Sequence, residues 1–186
     1  MENLAGKKIA VLVANGFEET HMTDCQKALI AAGAQVKLVS PELNLVNGWH
    51  ETAWGHFFPV DVPIAKVLAS DYDALLVPGG FRGLERLRKN PHTSRIVKGF
   101  VDAAKPIAMV GHAQLLLVDV ERVEGRTVAG GEEIAGDLAA ATVAEDLIAV
   151  DASLLTAKDG VEGEALKEKV LEHFDGVLGG GLASAA

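Results

Sequence analysis

Apolar runs and glycine-containing breaks alternate along this chain, and that rhythm predicts strands and helices in turn. Residues 9–14 are apolar without interruption. Such a run reads as a strand buried on both faces, as in a parallel sheet. Asn15-Gly16 ends it, and a helix is expected over residues 20–32, where Met22, Cys25, Ala28, Leu29 and Ala32 recur at spacings of three and four. Gly33 stops that helix, and residues 35–40 form a second strand. Residues 41–63, which carry Trp49, His50, Trp54 and His56, read as irregular, with a short helix over 64–68. A third buried strand covers 74–77 and stops at Pro78-Gly79-Gly80; helices are expected over 84–88 and 91–104. Residues 106–110 make a fourth strand, and Gly111-His112 turns the chain into a helix over 113–118. Beyond it, strands are expected at 126–129 and at 147–157, the latter in two pieces around Asp151. Helices are expected over 132–141 and 164–174. This alternation predicts an α/β domain, a doubly wound and mostly parallel sheet with helices on both faces. That domain spans 1–178, with a flexible Gly/Ala tail over 179–186.

Composition narrows the picture. A chain of 186 residues that is 49% apolar can bury a core without disulfide or metal staples. Its net charge of −9 (17 Lys and Arg against 26 Asp and Glu), with no basic strip, disfavours nucleic acid and anionic membranes as partners and leaves a small ligand open. No apolar run reaches the ~18 residues of a membrane span, and the N-terminus has no basic start followed by an apolar stretch. The single cysteine, Cys25, forbids an internal disulfide and fits a reducing cytoplasm. Any cysteine chemistry must use Cys25.

In open α/β sheets, ligands bind beyond the carboxyl ends of the strands. Three such ends stand out: Asn15-Gly16-Phe17-Glu18-Glu19, Pro78-Gly79-Gly80-Phe81 and Val110-Gly111-His112. Each passes through glycine into a helix, where backbone N–H groups can approach a ligand. Glu18 and His112 are the polar side chains these turns would bring to a shared crevice. Plainer roles stand beside these: tight turns for Gly79-Gly80 and Gly111, a structural imidazole for His112, and a helix-dipole carboxylate for Glu18. No G-x-G-x-x-G or P-loop is present, so no nucleotide cofactor is expected. His50, Glu51 and His56 lack the i, i+4 spacing of a helical zinc motif, and His21 lies elsewhere, so the spacing suggests no metal.

Taken together, these segments resemble the ThiJ/PfpI superfamily, with the class I glutamine amidotransferase-like (flavodoxin-like) fold, and within it the bacterial stress-protein and intracellular-protease branch. The residues that carry the resemblance include Asn15-Gly16-Phe17-Glu18-Glu19, Trp54-Gly55, Phe58-Pro59-Val60-Asp61, Asp71-Tyr72-Asp73-Ala74-Leu75, Pro78-Gly79-Gly80, Lys105-Pro106-Ile107-Ala108 and Gly125-Arg126. The resemblance implies a nucleophilic cysteine at the strand-to-helix elbow, and that position holds Gly111 here. It also implies that Glu18 is the carboxylate facing the thiol and His112 the adjacent histidine. Gly79, Gly80 and His112 would line an oxyanion site, and Glu85 would be an acid acting across a subunit boundary. A homodimer or larger homo-oligomer follows from the same resemblance.

Cys25 sits on the apolar stripe of the first helix, where it reads as a core residue. Loss of the nucleophile from a comparable covalent machine costs about 10⁶ in turnover, roughly 8 kcal/mol of barrier. An elbow freed of its thiol also favours glycine, because such turns strain other residues by about 1–3 kcal/mol. Gly111 is therefore expected in a backbone conformation that other residues avoid. Three functions stay open: a non-catalytic ligand-binding or stress-response protein; a cysteine-independent hydrolase, hydratase or glyoxalase-type enzyme using Glu18 as base and His112 as acid on a small carbonyl compound or to activate water; and an oligomer subunit with a structural role.

Overall fold

The computed structural model describes residues 3–179. In it, β1 (Lys8–Leu12), β3 (Gln35–Ser40), β6 (Val62–Pro63), β7 (Ala74–Val77), β8 (Ile107–Val110), β11 (Ile148–Asp151) and β12 (Leu154–Ala157) form one sheet. Its order is β11-β12-β8-β7-β1-β3-β6, parallel throughout except for the terminal β11–β12 pair. Successive side chains of a strand face opposite ways. In β1, Ala10 and Leu12 join one buried cluster, while Ile9 and Val11 join the other.

Helices cover both faces. On one lie α1 (Glu19–Ala31) and α5 (Gly163–Leu178), which contribute Met22, Cys25, Leu29, Leu166, Val170 and Phe174. On the other lie α2 (Phe81–Arg88), α3 (Pro91–Asp102) and α4 (Leu115–Asp119), with Leu84, Ile96, Phe100 and Leu116. Phe100 and Phe174 are fully buried, and each such side chain contributes about 1.5–3 kcal/mol. The start of α3 follows from its sequence: Asn90 accepts a hydrogen bond from the His92 N–H (2.9 Å), and Pro91 supplies a pre-set first turn. The doubly wound α/β architecture expected from the apolar runs is the observed one.

Several local expectations need correction. The irregular segment 41–63 contains a hairpin, β4 (Leu45–His50) paired with β5 (Ala53–Pro59), and β4 also pairs with the short β2 (Phe17–Glu18). A register shift between Asn47 and Trp49 breaks the alternation of period two, which hid the hairpin. Residues 132–141 are successive turns, not a helix. Buried Ile134 and Leu138 have helical spacing, but Ile134, Ala135 and Asp137 donate to carbonyls three residues back. The segment leads from β9 (Thr127–Val128) to β10 (Thr142–Val143), a separate parallel pair. The short helix at 64–68 is a 3-10 turn, Ile64–Lys66, and the helix at 113–118 is a 3-10 turn, Gly111–Gln114, leading into α4. The tail expected over 179–186 lies outside the described residues beyond Gly179. No described helix is long and apolar enough to cross a membrane.

Glu19, buried at the start of α1, holds the hairpin against the sheet. Its carboxylate accepts the His56 N–H (2.8 Å) and pairs with His56 Nδ1 (2.5 Å). Burial alone would raise the Glu19 pKa, but these bonds outweigh it and hold the carboxyl below its ordinary range. Its contribution is therefore complete above the ordinary carboxylate range and disappears as pH falls through the lowered folded value. Glu19→Gln is expected to cost about 1–2 kcal/mol near neutral pH, discounted for the exposed His56 ring. Urea midpoints across a pH series check this: the gap from the parent chain should close in acid, and a gap independent of pH overturns the assignment.

Candidate functional site

Strands β1, β7, β8 and β12 run parallel, so their carboxyl ends share one edge of the sheet. The strand order reverses beside β1, with β3 on one side and β7 on the other. A crevice opens at such a reversal. The turn after β1 reaches Glu18, whose N–H donates to the Gly79 carbonyl (2.8 Å) and ties this turn to the one after β7. Gly80 caps α2 with φ +104°. Gly111, at the elbow after β8, has φ +57°, the left-handed geometry expected for it.

A fourth strand end completes the site. Asp159 follows β12, and its Oδ2 lies 3.0 Å from His112 Nδ1. A Cβ built on Gly111 would overlap the Asp159 carboxylate, and one on Gly79 would fall 2.7 Å from Asp159 Oδ1. The volume into which an elbow side chain would project is thus filled by a carboxylate from another loop. This residue escaped sequence reasoning, although Ala157-Lys158-Asp159-Gly160 carries the same signal as the other ends: a buried strand, then glycine, then a helix.

His21, set apart in the sequence, also belongs here. Its Nδ1 accepts the Gly79 N–H (3.3 Å), so that amide is already engaged within the protein. Burial pushes the imidazole pKa down, with Asp159 opposing. The ring is therefore a neutral acceptor at physiological pH.

The crevice measures about 490 Å³, and Glu18, Trp49, Gly80, Arg82, His112 and Asp159 are among its lining residues. One wall is a stack. The Arg82 guanidinium carbon sits 3.8 Å from the Trp49 ring centre and 4.7 Å from that of Phe81, and Phe81 lies 6.1 Å from the His112 ring. Burial raises the Glu18 pKa; a 3.5 Å hydrogen bond from the Thr20 hydroxyl opposes this, and the nearby Asp159 charge adds to the rise. A larger cleft of about 580 Å³ lies between β11 and α5, lined by Val150, Ala152 and His173 among others. The carboxyl-end turns that carry Glu18, Gly80, His112 and Asp159 do not line it, so the smaller crevice is the candidate site.

Glu85 stands apart from the crevice lining, and Cys25 is the core residue expected from its place on α1. Glu85 is exposed on α2, 3.8 Å from Arg88, and the carboxylate that pairs with His112 is Asp159 of the same chain. Cys25 is fully buried in α1, where burial pushes its thiol up to about 12. Although the spacing suggests no metal motif, the fold places Glu133, from the turns after β9, beside His112 and Asp159.

Comparison with known proteins places these features in context. The sequence profile of the DJ-1/PfpI family matches residues 7–173. YraA of Bacillus subtilis, provisionally named a cysteine protease, is 33% identical over 168 residues, covering 89% of this chain and 96% of its own. General stress protein 18 of the same organism is 34% identical over 134 residues, covering 72% and 76%. Among solved structures, oxidised DJ-1 of Toxoplasma gondii superposes with a TM-score of 0.79 at 23% identity, covering 93% of this chain and 91% of its own. A two-domain protein of Anabaena variabilis with DJ-1/ThiJ/PfpI-like and ferritin-like domains gives 0.82 at 24% identity, over 95% of this chain and 49% of that one. These structural likenesses carry the fold.

Proposed function

The chain belongs to the DJ-1/PfpI family, and from that premise we propose that it is a member that works without a nucleophilic cysteine: a small-ligand-binding protein whose crevice persists while the family's covalent route is closed. One observation carries this reading. The elbow residue is Gly111, and the Asp159 carboxylate fills the space above it. Neither a thiol nor a hydroxyl is available there to attack a carbonyl, and buried Cys25 is held protonated. The crevice keeps what recognition needs: an aromatic and guanidinium wall, a carboxyl group at Glu18 and an imidazole at His112. The relative named general stress protein 18 supports a role in the stress response, and a single cysteine with no disulfide partner fits the cytoplasm. The expected homo-oligomer draws support from exposed Leu45, Trp54 and Phe57 on the hairpin.

The raised pKa of Glu18 favours a second reading, acid–base catalysis on a small carbonyl compound without covalent attack. Alkylation and turnover assays separate the two. Under the first reading, iodoacetamide labels Cys25 only in denaturant, and methylglyoxal and peptide substrates are consumed no faster than in buffer. Methylglyoxal turnover abolished by Glu18→Gln would replace the first reading with the second, and labelling of native Cys25 would overturn the closed thiol route. Sedimentation as a single chain would remove the oligomer.

A further inference from the structure

We propose that His112, Glu133 and Asp159 form a binding site for one divalent transition-metal cation, with Zn²⁺ the best-matched probe. One ligand atom from each residue lies within 4.8 Å of the other two, and His112 Nδ1 is 3.0 Å from Asp159 Oδ2. Donors bound to one cation at about 2.1 Å stand roughly 3.0–3.4 Å apart in octahedral or tetrahedral arrangements. The His112–Asp159 pair already has that separation. Glu133 is exposed, so its side chain has room to turn and bring its carboxylate, already within 4.8 Å of the other two donors, to that separation.

The three donors come from three separate loops: the elbow after β8, the turns after β9 and the turn after β12. Both carboxylates lie over glycines that leave room for them. A Cβ on Gly111 would overlap the Asp159 carboxylate, and one on Gly131 would overlap that of Glu133. Buried Ile134 and Leu138 anchor the turns that carry Glu133. The donor set is mixed, one imidazole nitrogen and two carboxylate oxygens. The imidazole selects Zn²⁺ over Mg²⁺ and Ca²⁺, which prefer all-oxygen shells. Three protein ligands leave coordination positions free, as in sites that bind water or a ligand. Since His112 and Asp159 also line the crevice, the free positions face it.

Glu18 and Glu162 line the same crevice and add negative charge around it. Arg82, the cationic lining residue, is stacked between Trp49 and Phe81. The cation would supply an electrophile for an anionic or carbonyl-containing ligand. That consequence rests on the crevice reading above, whereas cation binding itself is measured without any ligand. A failure of this proposal therefore leaves the cysteine-free crevice untouched.

The test is calorimetric titration of Zn²⁺ into the chelator-treated, tag-free full chain. One Zn²⁺ per chain is expected, with Mg²⁺ far weaker. His112→Gln and Glu133→Gln should each weaken Zn²⁺ about tenfold or more, whereas His56→Gln, on the exposed hairpin, should leave it unchanged. Thermal melts of the metal-free variants show whether each remains folded. If Asp159→Asn proves unstable, Glu133→Gln, an exposed substitution, still decides the matter. A Co²⁺-loaded sample should show visible absorption that Glu133→Gln alters. Absence of stoichiometric Zn²⁺ binding, or affinity unaffected by both His112→Gln and Glu133→Gln, overturns the proposal.

Discussion

Replacing Gly80 with alanine is expected to cost the fold about 3 kcal/mol or more, among the largest losses from adding a single methyl group. Two effects add. At φ +104° the backbone lies where L side chains are strained, and the new Cβ would sit 2.6 Å from the Gly16 carbonyl oxygen and 2.7 Å from the Glu18 nitrogen. Both neighbours are backbone atoms in turns that close the crevice, so neither can swing aside as a side-chain tip would. The Glu18 N–H bond to the Gly79 carbonyl must stretch or break. Gly125 supplies the control. It has φ +74° with nothing within 4 Å of a built Cβ, so Gly125→Ala isolates backbone strain of about 1–2 kcal/mol. In a domain of this size each kcal/mol moves the melting temperature by about 2–4 °C. Urea and thermal unfolding of both variants make the comparison, and equal losses would show that crowding at Gly80 is unimportant.

Gly111→Cys should be costly for a different reason, and the cost should depend on Asp159. The φ of +57° strains a cysteine by about 1–2 kcal/mol. Its Cβ also collides with the Asp159 carboxylate, the end of a side chain that is 39% exposed. Asp159 can move, but only by giving up its contact with His112. Combining Gly111→Cys with Asp159→Ala removes the collision. The double variant should therefore lose about 1 kcal/mol less than the two single losses added together.

Reactivity provides a second measure. A carboxylate beside the new thiol raises its pKa, and a rise of about one pH unit leaves roughly tenfold less thiolate at neutral pH. Iodoacetamide should alkylate residue 111 about tenfold faster in the double variant, with Cys25 unlabelled in both. Additive losses together with equal rates would mean that Asp159 does not occupy the space above residue 111 in solution.

Much of this protein is legible from its sequence because the relevant physics is local. Strands β1, β7 and β8 are continuous apolar runs because both faces are covered, and residues 9–14, 74–77 and 106–110 announce this directly. Glycine breaks mark the strand ends, which places Glu18, Gly80, Gly111 and His112 at one edge of a parallel sheet. Cys25 is recognisable as a core residue from its place on the stripe of α1. Local reading fails where one stretch carries two signals. Ile134 and Leu138 mimic a helix while Gly130, Gly131 and Gly136 favour turns, and the shifted register around Gly48 conceals a hairpin.

What only the tertiary structure decided is which side chains share the crevice. His112 and Asp159 are 47 residues apart and meet because β12 pairs in parallel with β8. Glu133 joins them from turns whose direction depends on two buried side chains. His21 reaches the Gly79 amide because the first turn of α1 packs beneath the loop after β7. Each of these contacts is a long-range pairing whose partner is chosen by strand order and loop closure. Strand order reflects the burial of whole faces, summed over the sheet, and no short window of sequence contains that sum. The sequence determined a cysteine-free elbow on a doubly wound sheet; the fold decided that a carboxylate would stand over it.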